Sequence, residues 1–175
     1  RQEKIMPENK LKNSTIKNIA VTRGLAFALV TAVYIYMDNT LSGYLWCVYV
    51  GFFLSMALGA KNGKMFNYIL SALIGYGWAF LYVNLGGWLS AVFPVQVKLC
   101  IIIAEFVLTA SLLFIHLKFL SNTKLNVIPA VFAAIATIYA SGGYSAAPYC
   151  ALSVVIGIVM AFATGRIISK LEEKG

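Results

Sequence analysis

Apolar residues in this chain come in six long runs, at about 19–37, 44–60, 66–84, 96–117, 125–140 and 148–168, separated by short polar breaks. Within each run the hydrophobic positions go all the way round a helix instead of marking one face. A helix needs about 20 mainly apolar residues to cross the hydrocarbon core of a bilayer. The pattern therefore predicts an all-α integral membrane protein with six transmembrane helices over 18–169. A polar, basic tail at 1–17 lacks the apolar content to fold alone, and 170–175 form a second short tail. Lipid-exposed backbone must satisfy its own hydrogen bonds, and the alternating pattern of a barrel is absent, so the spans are helical. The first run is too long for a signal-peptide core and lacks a small-residue cleavage site, so it reads as an uncleaved anchor.

The breaks have characters of their own. Asp38-Asn39-Thr40 is a polar turn, and Gly59-Ala60-Lys61-Asn62-Gly63-Lys64 is a tight one. Gly86-Gly87-Trp88 suggests the end of the third helix before Pro94. Pro129 falls near the start of the fifth, where a missing N–H costs little. The linker Ser141-Gly142-Gly143-Tyr144-Ser145-Ala146-Ala147-Pro148 reads either as an exposed loop or as non-helical backbone lining a cavity, which a membrane tolerates only under cover of protein or water.

Composition agrees: 61% of the residues are hydrophobic and 11% charged. The net charge of +8 changes the picture only through its placement. Threading six helices puts 13 of the 14 Lys and Arg residues on one side, Lys98 being the exception. This is the positive-inside bias, and it predicts cytoplasmic termini. The basic excess is topological, with a secondary attraction to anionic head groups, and nucleic acid is not an expected partner.

One phrase occurs twice. Ser71-Ala72-Leu73-Ile74-Gly75-Tyr76-Gly77-Trp78-Ala79-Phe80 and Ser153-Val154-Val155-Ile156-Gly157-Ile158-Val159-Met160-Ala161-Phe162 share the pattern Ser-x-x-Ile-Gly-x-x-x-Ala-Phe. Small residues at every fourth position make a smooth helix face, along which two backbones can approach closely in lipid. The offset of 82 residues pairs span three with six and, less clearly, one with four and two with five. With three spans per half, the second half would enter the membrane from the opposite side, as an inverted 3+3 repeat.

Glu105 lies near the middle of the fourth run, where a charge costs at least about 2.5–3.5 kcal/mol and must face a partner or a watery cavity. At about 100° per residue, Lys98, Thr109 and His116 fall on the same side of that helix, a polar stripe running most of the way across. The stripe reads as a solute or proton pathway, or as structural glue with Glu105 protonated or paired to Arg23. Arg23 has its own plainer reading, snorkelling to the cytoplasmic surface. Asn67, Ser71, Asn84, Thr137, Tyr139 and Ser153 are candidates to line a cavity between the halves; Ser71 and Ser153 can equally bond backbone carbonyls in a packed interface.

Cys47, Cys100 and Cys150 fall at similar depth near the outer ends of their spans. That placement raises a soft-metal site or a disulfide, but without Cys-x-x-Cys spacing they read as ordinary small apolar residues. A single His makes no metal site and leaves no Ser-His-Asp set. No phosphate-binding Gly-rich loop or zinc-protease pair occurs, so neither an enzyme nor a cofactor is expected.

Leu45-Trp46 opening the second run, the turn Gly59-Ala60-Lys61-Asn62-Gly63, Gly77-Trp78-Ala79, and Pro129 with Phe132 resemble a family of small bacterial inner-membrane proteins known as domain of unknown function 1097. The resemblance spans roughly 20–168. It implies a multi-pass location in a bacterial inner (plasma) membrane and brings no activity. The residues themselves lead to one expectation, passage of a small solute or ion by a channel or secondary transporter. Lys98, Glu105, Thr109, His116, Arg23, Asn67, Ser71 and Ser153 would be its pathway or binding residues. Six short spans enclose little volume, so a homo-oligomer is expected, with the lipid bilayer and the solute as the other partners. The competing expectation is a non-transporting membrane scaffold or accessory subunit, with Glu105 buried against Arg23 or another helix and no cavity beside it.

Overall fold

The computed structural model describes residues 43–60 and 63–172, together with Val21, Gly24, Leu25, Ala28, Leu29, Ala32, Val33 and Tyr36 of the first apolar run, which are helical and exposed. Arg23 and the turn at Asp38 lie outside the described residues. Five helices follow: α1 (Cys47–Ala57), α2 (Met65–Val92), α3 (Val97–Lys118), α4 (Ile128–Ala140) and α5 (Ala147–Glu172). They correspond to the second to sixth apolar runs.

Three stretches, Met65–Val92, Pro94–Lys118 and Tyr144–Ile167, are long and apolar enough to cross a membrane. The other two helices are shorter than their apolar runs. At about 1.5 Å per residue, α1 reaches about 16 Å and α4 about 20 Å, against a hydrocarbon core about 30 Å thick. Glycines end both helices early. Gly59 (φ 89°) and Gly142 (φ 79°) adopt the left-handed backbone that closes a helix. After α1, the Gly59 and Ala60 N–H groups bond back to the Met56 and Ser55 carbonyls; after α4, those of Gly142 and Gly143 bond to Tyr139 and Ile138. Both are Schellman closures, which satisfy carbonyls the helix would otherwise leave open. The opposite difference appears in α2, which runs through Gly86-Gly87-Trp88 to Val92. Without water as a competitor, the backbone there keeps its helical bonds, and two glycines do not break it.

The repeated phrase is where helices touch. Gly75 in α2 meets α4 so closely that a β-carbon would lie 2.5 Å from the Val131 carbonyl oxygen and 2.8 Å from the Ala134 methyl. Gly157 in α5 abuts the Val48 carbonyl and Phe52 N–H of α1, and Gly51 abuts the Val154 carbonyl in return. Contacts ascend together along each pair. In α2 and α4 they run Ser71–Val127, Gly75–Val131 and Tyr76–Thr137; in α1 and α5 they run Tyr44–Tyr149, Phe52–Gly157 and Ala60–Gly165. Both pairs are therefore parallel. Lipid supplies no hydrophobic drive between helices, so this backbone-to-backbone packing carries the association.

Helix α3 lies at the edge, antiparallel to α2 and α4. Its buried residues are Cys100, Ala104, Leu112 and His116, while Ile102 (62%), Phe106 (74%) and Leu117 (63%) are exposed. An apolar outer face of this kind suits lipid.

Candidate functional site

The last three turns of α2, the first half of α3 and the C-terminal end of α4 leave a pocket of about 370 Å³ between them. The space exists because side chains are missing. A β-carbon on Gly87, Gly142 or Gly143 would meet nothing within 4 Å, and one on Gly86 only Ile101 at 4.0 Å. Ile101, Ile138 and Val83 supply apolar wall. All three helix segments are at the same end of the bundle, opposite Lys64 and the α3–α4 turn with Lys118 and Lys124.

Glu105 lines this pocket half-buried. Its Oε1 accepts a hydrogen bond from the Tyr139 hydroxyl of α4, and one turn further along α3 the Tyr82 and Thr109 hydroxyls pair at 2.7 Å. Tyr82, Tyr139 and Glu105 thus present polar atoms from three helices to one space. The geometry is that of small-molecule sites in general, a concave and mostly apolar cavity with a few convergent polar groups.

The polar stripe read on α3 divides. Packing buries the smaller face through Cys100, Ala104 and Leu112, so Glu105 and Thr109 flank the contact and Lys98 is left exposed, outside the pocket. Leu112, fully buried, separates Thr109 from His116. His116 is sealed at 1% exposure and its Nδ1 lies 2.9 Å from the Leu125 carbonyl oxygen. A carbonyl only accepts, so Nδ1 carries the proton and donates, while Nε2 is buried without a partner among the described residues. The histidine holds the α3–α4 turn and does not meet Glu105.

The remaining candidates also disperse. Ser71 is fully buried and its Oγ accepts the Val127 N–H at 3.1 Å. That bond secures an amide just ahead of α4, whose first turn holds Pro129. Ser153 is fully buried too, with no partner for Oγ among the described residues. Asn67 is half-buried near the start of α2, at the end away from the pocket. Asn84 folds back onto the Phe80 carbonyl at 2.7 Å. Thr137 pairs with Tyr76 at 3.0 Å in the core between α2 and α4.

The three cysteines are free and buried. Cys150 Sγ lies 3.1 Å from Ser141 Oγ, and among the described residues no group of three metal-ligating side chains occurs. Tyr82 and the helical glycines Gly86 and Gly87 are site features that the sequence reading missed, whereas Gly142 and Gly143 belong to the linker for which a cavity lining was one of two readings. Tyr82 is seven residues beyond Gly75, on the same α2 face, and that spacing was the available signal.

Residues 24–173 match a family described as protein of unknown function (DUF1097). No curated relative and no solved structure matches the chain.

Proposed function

The chain belongs to the DUF1097 family, whose function is unknown, and we propose that it passes a small solute or ion across the membrane it sits in. The observation that carries this reading is a titratable carboxylate, Glu105, bordering an open pocket of about 370 Å³ amid apolar helices. Ionisable groups at membrane depth mark solute and proton pathways. The scaffold reading required Glu105 to be packed away with no cavity beside it.

The architecture we propose is six spans with both termini cytoplasmic, the first apolar run completing the set. In that topology the pocket opens to the outer face. An inverted 3+3 repeat is supported by the helix contacts. Gly75 and Gly157, 82 residues apart, each seat on a parallel neighbour at Val131 and Val48, 83 apart. The two closing glycines, Gly59 and Gly142, are also 83 apart. Transporters place binding sites where such halves meet. The buried Leu112 below Thr109 then closes the inner side of an outward-open state. The home membrane we propose is a bacterial inner membrane, with protomers assembling as a homo-oligomer and no chemistry performed on the solute.

The test is flux into proteoliposomes across a panel of small polar solutes, ammonium, alkali cations and protons, for the wild type beside Glu105→Gln and Tyr139→Phe. We expect flux that Glu105→Gln abolishes and Tyr139→Phe lowers, both proteins being folded and inserted. Flux untouched by Glu105→Gln would remove this pocket from the pathway.

A further inference from the structure

We infer that the pocket beside Glu105 takes a small organic ammonium ion, its hydrocarbon part against the aliphatic wall and its cationic nitrogen at the carboxylate. The inference rests on reading this pocket as the solute site, and it names the class of solute.

Charge is the first argument. Among the described residues, Glu105 is the only formally charged side chain lining the pocket, and no Lys, Arg or His of that set lines it. Among the described residues, Tyr139 bonds Oε1 and nothing bonds Oε2, so half of the carboxylate is open to a donor. The C-terminal end of α4 points the same way. It closes at Ala140 beside the pocket, and a helix C-terminus carries a partial negative charge, lessened here where the closing amides bond the Ile138 and Tyr139 carbonyls. An anion would be repelled by both, and a neutral donor could bond Oε2 but would lack the charge attraction that a cationic nitrogen adds to the same bond.

Shape and wall chemistry separate an organic cation from a bare metal ion. A hard cation such as calcium wants about six to eight oxygens in its first shell. This pocket offers a single carboxylate and a few hydroxyls, set among Ile101, Ile138 and Val83. Tyr82 and Tyr139 line it as well, and an aromatic ring within about 6 Å attracts an alkylammonium group to its face. The room left by Gly86 and Gly87 has no use for a single metal ion and fits a branched alkyl group.

The experiment is isothermal titration calorimetry on the purified full chain in nanodiscs, with empty nanodiscs as the blank. The probes are three compounds of matched shape, tert-butylammonium, tert-butanol and pivalate. We expect tert-butylammonium to bind at least tenfold more tightly than either of the others. Glu105→Gln should reduce that preference to twofold or less. Gly87→Leu, which fills the space with no clash at the β-carbon and with a better helix former, should weaken the ammonium tenfold or more. Equal binding of the three probes by the wild type, or no binding of tert-butylammonium, overturns the inference without recourse to a variant. The flux assay fails separately. An ammonium that binds and does not cross overturns transport alone, while a neutral or anionic solute that crosses with no ammonium bound overturns only the solute class.

Discussion

Gly157 of α5 rests against the backbone of Val48 in α1, leaving no room for even a methyl group between them. The same is true of Gly51 against Val154, so the two helices are locked by a reciprocal glycine contact. Alanine at either site must push backbone against backbone, and overpacking of this kind costs about 1–3 kcal/mol. We expect Gly157→Ala and Gly51→Ala to lower the thermal midpoint in detergent, followed by circular dichroism. Gly77→Ala is the control. Its β-carbon meets nothing within 4 Å, and alanine favours a helix by about 0.5–1 kcal/mol over glycine, so that midpoint should hold or rise.

Ser71 and Ser153 occupy matching places in the repeated phrase and behave differently. Ser71→Ala strands the Val127 N–H, and an unsatisfied amide costs about 1–3 kcal/mol when buried. Ser153 Oγ has no partner among the described residues, so Ser153→Ala should be neutral or stabilising. Denaturant titration of both variants checks the pair. A larger loss at Ser153 than at Ser71 would show that its hydroxyl has a partner of its own.

His116 is expected to contribute to stability and not to flux. His116→Phe removes the donor to the Leu125 carbonyl, a loss of about 1 kcal/mol. His116→Asn, whose amide can take the place of Nδ1–H, should recover much of it. Both variants should retain flux per folded molecule in proteoliposomes. Abolished flux in His116→Asn with stability intact would return the histidine to the pathway.

Cys47 and Cys150 are fully buried and Cys100 is 6% exposed. A membrane-impermeant maleimide should therefore label none of the three in the folded protein and all three after unfolding in dodecyl sulfate. Mass spectrometry of the labelled chain reads the result. Rapid labelling of Cys100 in the folded state would mean that the N-terminal end of α3 opens.

The sequence by itself determined that the chain is helical, where its long apolar helices lie, and which small faces would matter. Continuous apolar runs exclude strands and amphipathic surface helices, and a small residue at every fourth position has one use between helices in lipid. Local chemistry was readable too. Gly59 and Gly142 mark helix ends because only a residue without a β-carbon turns there cheaply. Helix α2 shows the limit of that rule, since Gly86 and Gly87 carry the same letter and continue a helix.

What the tertiary structure decided is which polar groups meet. On α3, periodicity put Lys98, Glu105, Thr109 and His116 along one side, yet the helix buries the neighbouring face, where Cys100 and Ala104 allow close approach. Rotating a helix by a few tens of degrees costs no local interaction, so only its neighbours set that angle. The rotation joins Glu105 to Tyr139, 34 residues away, and seals His116 against Leu125. The pocket is likewise a property of three helices that stop short of filling the space between them. No single run of residues could announce it, because its floor is made of glycines that contribute nothing but absence.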